Sequence, residues 1–115
     1  MFEIPENLVG CAYSAQNGER AWAKSDALNV IDWASANGLA VFGAEIWIPT
    51  NPGPTIPTPY IYGFEPREID GESWEHFVAR ANAEAREFIR SFNWHRADTC
   101  HHGMTPYFNL TIGDE

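Results

Sequence analysis

The chain has 115 residues, of which 44% are hydrophobic and 14% are aromatic, so it carries enough apolar surface for one folded core. This composition excludes an intrinsically disordered segment. Sixteen acidic residues against seven lysines and arginines give a formal net charge of −9. Because phosphate groups and anionic lipids attract basic proteins, nucleic acid and membrane surfaces are not expected partners, whereas a basic protein would be favoured.

Targeting and redox signals are weak throughout the sequence. The first seven residues hold two glutamates and no base, which is the wrong charge for a secretory signal. The longest apolar run, Leu39–Ile48, is too short to span a bilayer. The two cysteines, Cys11 and Cys100, are too few for a disulfide scaffold. We therefore expect one cytoplasmic domain over residues 1–115.

In the first half, the pattern predicts a short strand over Leu8–Tyr13 with Cys11 as a small buried residue, and then a helix that starts at Ser25 and stops at Gly38. The helix has an apolar stripe of Ala27, Val30, Ile31 and Ala34. The apolar run Leu39–Ile48 then predicts a central strand, in which Gly43 indicates a bulge or a close backbone approach.

The second half begins with a proline-rich connection over residues 49–59, which favours polyproline II or successive turns. A strand is predicted at Tyr60–Phe64, followed by an acidic exposed loop. Ser73 is the predicted N-cap of a long amphipathic helix that carries apolar residues at helical spacing to Phe92. Residues 93–103 are irregular, and Tyr107–Ile112 alternates as a half-buried strand does.

These elements predict an α+β fold in a single small domain. About four mostly antiparallel strands would form one sheet, with two helices packed on one of its faces.

A histidine and cysteine cluster near the C-terminus is the first candidate for chemistry. His95, Cys100, His101 and His102 have side chains that bind Zn²⁺ or Cu²⁺, with Asp98 among them. Their spacing does not match a standard structural zinc motif, and an ordinary polar loop is the simpler interpretation. No cofactor is expected, although a small metal-binding protein or enzyme that uses this cluster remains the alternative function.

Glu45 is the second candidate, because it interrupts the apolar strand Leu39–Ile48. Its side chain could be buried, could lie at a sheet edge, or could be exposed at a bulge after Gly43. A buried carboxylate could serve as an acid or base, but no second carboxylate is placed by the sequence to pair with it. A structural or interface role is therefore favoured over catalysis. No nucleotide-binding or hydrolase motif is present, so no enzymatic activity is expected.

Two groups of residues are candidates for binding a partner. Aromatic side chains flank the proline-rich connection and could form a recognition or sugar-stacking surface: Trp47, Tyr60 and Tyr62. The acidic run before the long helix could attract a basic partner, and the alternative is a merely solvated loop: Glu65, Glu68, Asp70, Glu72 and Glu75.

The order of several motifs resembles a known family. Trp22-Ala23-Lys24 leads into Asp26-Ala27-Leu28, the apolar strand contains Phe42-Gly43-Ala44-Glu45-Ile46, and Gly71-Glu72-Ser73-Trp74-Glu75 opens the long helix. This is similar to small bacterial immunity proteins of polymorphic-toxin and contact-dependent growth inhibition systems. Family members often have Gly-Gly-Asp-Val where this chain has Gly43-Ala44-Glu45-Ile46. The resemblance covers roughly Leu8–Phe92.

The resemblance implies a non-enzymatic protein that binds and neutralises a cognate toxin domain in the cytoplasm of the producing cell. An acidic inhibitor suits a basic toxin domain, because opposite charges speed association. No toxin-contacting residue is carried over from the family. A third interpretation is an assembly protein that presents the proline-rich connection and self-associates.

Overall fold

The computed structural model describes residues 3–14, 18–48, 56–57, 64–92 and 106–115. Three helices and five strands lie in these ranges: α1 (Glu6–Gly10), β1 (Tyr13–Ser14), β2 (Arg20–Ala23), α2 (Lys24–Ala36), β3 (Ala40–Ile48), β4 (Ile56–Pro57), α3 (Trp74–Ser91) and β5 (Tyr107–Gly113).

The strands form one sheet in the order β1-β2-β5-β3-β4, and every neighbouring pair is antiparallel. β2, β5 and β3 are four residues or longer, whereas β1 and β4 have two residues each. The α+β class is confirmed. The count of about four strands is not confirmed, because three substantial strands are flanked by two minimal ones.

A buried apolar cluster joins both long helices to the sheet. Val30 and Ile31 of α2 and Ile89 of α3 meet Ile46 of β3 and Phe108 of β5, and each of the five is at most 1% exposed. Burying a side chain of this size stabilises the fold by about 1.5–3 kcal/mol, so this cluster helps to hold both helices on the sheet. The sequence pattern predicted the helical contributors, since all four residues of the α2 stripe are buried.

The N-terminal prediction is wrong. Residues Glu6–Gly10 form the short helix α1 and only Tyr13–Ser14 form a strand. Trp22 Nε1 donates a buried hydrogen bond of 2.7 Å to the carbonyl oxygen of Leu8, which fixes α1 beside β2. Cys11 follows the helix and is exposed, with its Sγ donating to the Leu8 carbonyl oxygen, so the expected buried position of Cys11 is also wrong.

The boundaries of α2, β3, α3 and β5 follow the sequence closely, whereas the strand β2 was not predicted. α2 begins at Lys24, one residue before the predicted start, and Gly38 adopts a φ of 69° just after its end. The pairing of β3 with β5 shifts register between Val41 and Gly43, so the predicted bulge is confirmed. Ser73 caps α3 by accepting a hydrogen bond of 3.2 Å from the backbone N–H of His76.

The proline-rich connection contributes the edge strand β4, where Pro57 pairs with Trp47. An edge position suits proline, which has no N–H to donate to a further strand. Of the predicted strand Tyr60–Phe64, only Phe64 is described, and it forms an isolated antiparallel bridge with Ala44.

Candidate functional site

The acidic loop between Phe64 and α3 is fixed at both ends. Phe64 exchanges two backbone hydrogen bonds of 2.9 and 2.8 Å with Ala44 of β3. At the other end, the backbone N–H of Glu72 donates to the carbonyl oxygen of Ile69 and closes a tight turn, in which Gly71 has a φ of 81°. An L-residue with a side chain rarely adopts that φ, so glycine suits this turn.

The carboxylates of this loop point in different directions. The side chains of Glu65, Glu68, Asp70 and Glu75 are exposed. Glu72 instead turns toward α3, and its side chain is only 8% exposed. The Arg80 guanidinium donates two hydrogen bonds to the Glu72 carboxylate, of 2.9 and 2.8 Å. Glu72 is thus already paired within the protein, while the other four remain open to solvent.

Arg80 connects the loop to α3. Besides Glu72, its guanidinium donates to the carbonyl oxygen of Arg67 and to the Glu84 carboxylate. Its central carbon lies 5.5 Å from the centre of the Phe77 ring. The hydrogen bonds from Arg80 hold the pKa of Glu72 below its usual value, and the same contacts raise the pKa of Arg80. Arg80 therefore positions the loop that presents the exposed carboxylates.

Three aromatic rings lie next to this loop. Phe42, at the bulge in β3, is 6.0 Å from Trp74 and 5.7 Å from Phe77 between ring centres, and Trp74 is 5.7 Å from Phe77. Trp74 Nε1 donates a hydrogen bond of 2.9 Å to the carbonyl oxygen of Gly38, which fixes its ring. The cluster is an ordered apolar surface at the start of α3.

A cavity of about 310 Å³ lies between the rings and the loop. We call it the acidic groove: Phe42, Trp74 and Phe77 form its floor, Ile69 lies at its edge, and Glu68, Asp70 and Glu115 form its rim, with Gly71 and the Arg80-paired Glu72 completing the lining. Ile69 is 46% exposed, and it is the large apolar side chain that stands out as exposed in the described part of the chain. The sequence analysis identified Glu68 and Asp70 of the rim but not Glu115, Ile69 or the aromatic floor.

Only one residue of the predicted aromatic surface, Trp47, lies among the described residues. Trp47 is only 3% exposed, so its ring is not presented to solvent, and its buried Nε1 has no hydrogen-bond partner among the described residues. Tyr60 and Tyr62 lie outside the described residues. The structure thus brings Glu68, Asp70 and Glu72 to the acidic groove, whereas Glu65, Glu75 and Trp47 do not line it.

Glu45 is exposed and lies opposite Asn109 in the pairing of β3 with β5. Of the three positions considered for it, the buried one is wrong. With Glu65, Gly43 and Phe64 it lines a second, open cavity of about 490 Å³. Sequence reasoning gave no sign that Glu45 and Glu65 would share a cavity, because this depends on the bridge between Phe64 and Ala44.

His95, Cys100, His101 and His102 also lie outside the described residues. Within the ranges that are described, no group of three or more histidine, cysteine or carboxylate side chains could hold a metal ion. His76 is 84% exposed, with its Nδ1 3.8 Å from the Glu72 carboxylate.

Asn82 is a structural residue that sequence reasoning missed. It is 3% exposed, its Oδ1 accepts from the backbone N–H of Val41, and its Nδ2 donates to Ser35 Oγ and the Leu39 carbonyl oxygen. We call these four residues the Asn82 joint, because they link α2, β3 and α3. The available signal was a polar residue on the apolar face of a helix, next to Ala81 and one turn from Val78.

The fold and this surface define a small α+β domain with exposed carboxylates gathered where α3 begins. The chain matches the profile of a family described as immunity protein 40 over residues 9–106, and it belongs to that family. This confirms the resemblance to immunity proteins of toxin systems. No curated protein and no solved structure matches the chain. In the described part of the chain, no helix is both long enough and apolar enough to cross a membrane.

Proposed function

We propose that this protein is a non-enzymatic immunity protein that binds a cognate toxin domain and neutralises it in the cytoplasm of the producing cell. The observation that carries the proposal is the match to the immunity protein 40 family over residues 9–106. Such a role needs a stable domain with a complementary surface and no reactive centre. The family match favours this role over the alternative of a metal-binding protein or enzyme, which no described contact supports.

The charge of the chain supports a basic partner. The formal net charge is −9, and the exposed carboxylates Glu65, Glu68, Asp70 and Glu75 lie within eleven consecutive residues. A negative surface steers a positively charged partner into the encounter complex and raises the association rate at low salt. A toxin domain that acts on nucleic acid has to attract phosphate groups, so a basic toxin surface is the natural counterpart.

The proposed contact surface is the exposed part of the acidic loop. Glu72 is left out of it, because that carboxylate is paired with Arg80 and its substitution would disturb the loop. Trp47 is left out because its ring is buried. Tyr60 and Tyr62 stay candidates on the sequence argument alone.

Co-expression tests the function directly. The chain is produced in a bacterial host together with the C-terminal domain of the large protein encoded immediately upstream, and survival and co-purification are scored. The proposal predicts survival and a stable complex, while an unrelated toxin domain serves as the control and should still kill. Survival without a complex would contradict the binding mechanism and favour an enzyme. Cell death in the presence of folded protein would contradict the proposed function altogether.

The contact surface has its own test. Reversing two exposed charges, Glu68→Lys with Asp70→Lys, should lower the association rate constant about 10–100-fold at low salt and flatten its salt dependence. The matched control is Glu3→Lys with Glu6→Lys, which changes the net charge equally near α1, on the β2 side of the sheet. If both double variants slow association equally, only the net charge matters and the proposed surface is wrong.

A further inference from the structure

The acidic groove combines an aromatic floor with a negatively charged rim. A flat surface of carboxylates attracts cations without selecting among them, whereas a cavity lined by three ordered rings also selects for shape. Trp74 Nε1 donates a hydrogen bond to the Gly38 carbonyl oxygen, and Phe42 lies at the bulge of β3 between Val41 and Gly43. These contacts place the rings of the floor in the protein without a partner present.

The rim carboxylates are available to a partner. Among the described residues, Glu68, Asp70 and Glu115 make no ion pair, and no lysine or arginine lines the cavity. Glu72 also lines the groove, but its carboxylate is paired with Arg80, whose guanidinium carbon lies 5.5 Å from the centre of the Phe77 ring. Glu68, Asp70 and Glu115 thus leave negative charge in the groove that no lysine or arginine of the described residues pairs with.

We propose that the acidic groove binds an arginine side chain of the toxin, an inference that rests on the proposed function. The guanidinium would stack on the Phe42 and Trp74 rings and donate hydrogen bonds to the Glu68 and Asp70 carboxylates. Its aliphatic stem would cover Ile69, the exposed apolar side chain at the groove edge.

Arginine fits these features better than the other side chains do. An apolar side chain would remove water from the rim carboxylates without offering them a hydrogen bond, which is costly. The lysine ammonium is a compact, strongly hydrated charge that cannot stack as a planar group. A guanidinium stacks on aromatic faces and donates to two carboxylates at once. Arginine is also enriched among the residues that dominate binding energy at interfaces.

The test introduces a positively charged side chain into the groove by substitution at residue 69 of this protein. Ile69→Arg should neutralise the rim and repel the incoming guanidinium, and the matched control Ile69→Gln removes the apolar side chain without adding charge. Because residue 69 is exposed, both variants should keep the wild-type fold, which circular dichroism and thermal unfolding check. We expect the dissociation constant for the toxin domain to rise about 100-fold for Ile69→Arg and less than about 5-fold for Ile69→Gln.

The partner's arginine is then located by replacing each exposed arginine of the toxin domain with alanine. One replacement should strongly weaken the binding of the toxin domain to the wild-type protein. The same replacement should have little further effect on binding to the Glu68→Gln/Asp70→Asn variant, which would show that the toxin arginine interacts with these two carboxylates. Lysine at that toxin position should restore binding only in part. If the wild-type protein binds the toxin but Ile69→Arg binds equally well, the groove proposal is wrong and the proposed function stands. If the wild-type protein does not bind the toxin, both are wrong.

Discussion

The Asn82 joint and the acidic groove both place polar groups beside the same helix, yet they use them in opposite ways. In the joint, the Asn82 amide is buried and each of its hydrogen bonds is made inside the protein. In the groove, the carboxylates of Glu68 and Asp70 are exposed and form no ion pair with any residue that the structure describes. Polar groups in the joint therefore contribute to stability, whereas those in the groove remain available for binding. The comparison predicts that substitutions in the two regions will separate stability from affinity.

The largest loss of stability is expected in the joint. Asn82→Leu would leave the Val41 N–H and the Leu39 carbonyl oxygen buried without partners, which should lower the free energy of unfolding by about 3 kcal/mol. Urea denaturation followed by circular dichroism measures this. The control Ser35→Ala removes one exposed partner of Asn82 and should cost about 0.5 kcal/mol. A small effect of Asn82→Leu would show that the joint does not hold the helices and sheet together.

A smaller loss is expected at the end of α3. Lys24 Nζ donates to the carbonyl oxygens of Arg90 and Phe92, each at 3.3 Å, so the lysine caps the helix C-terminus. Lys24→Met should lower the free energy of unfolding by about 0.5–1 kcal/mol, while Lys24→Arg should retain most of the stability. Amide hydrogen exchange should speed up over the last turn of α3 in Lys24→Met only. Equal free energies of unfolding and equal exchange rates in Lys24→Met and Lys24→Arg would contradict the capping role of Lys24.

The Glu72–Arg80 pair should make stability depend on pH. Because the pKa of Glu72 is lower in the folded protein, the unfolded chain binds more protons in the acid range. The contribution of this ion pair to the free energy of unfolding is therefore complete above the ordinary pKa of a glutamate, about 4.3, and is lost as the pH falls below it. The difference in thermal stability between wild type and Glu72→Gln should be clear at pH 7 and shrink toward pH 3. A convergence of the same size in the control Glu75→Gln, which alters an exposed carboxylate in the first turn of α3, would contradict the role of the pair.

The smallest change in stability is expected at the groove rim. Glu68→Gln/Asp70→Asn should alter the free energy of unfolding by less than about 0.5 kcal/mol, since both side chains are exposed. The same double variant should weaken toxin binding. A stability loss as large as that of Asn82→Leu would show that the rim carboxylates are structural and would remove the distinction between the two regions.

The helices and the central strands were predictable where the sequence pattern is long. The α3 stripe persists over many residues and Ser73 is a strong N-cap, so both were predicted correctly. The short apolar run Leu8–Tyr13 was misassigned because a few apolar residues fit a helical turn as well as a strand. The exposed position of Cys11 follows from that helix.

The site was predictable in its charge but not in its geometry. The acidic run is evident from the sequence, yet the inward turn of Glu72 depends on Arg80, eight residues later. The aromatic floor depends on the bulge that places Phe42 beside Trp74 and Phe77, and on the position of Ile69 in a tight turn. Such arrangements arise from tertiary packing, for which neither residue spacing nor local propensity carries a signal.

Amide hydrogen exchange of this protein with and without its cognate toxin domain shows whether the toxin binds at the acidic loop. We expect binding to slow exchange in the acidic loop, residues 65–72, and in the first turn of α3, with no change in α1. Slower exchange confined to α1 or to the exposed face of α2, with none in the acidic loop, would contradict binding at this loop.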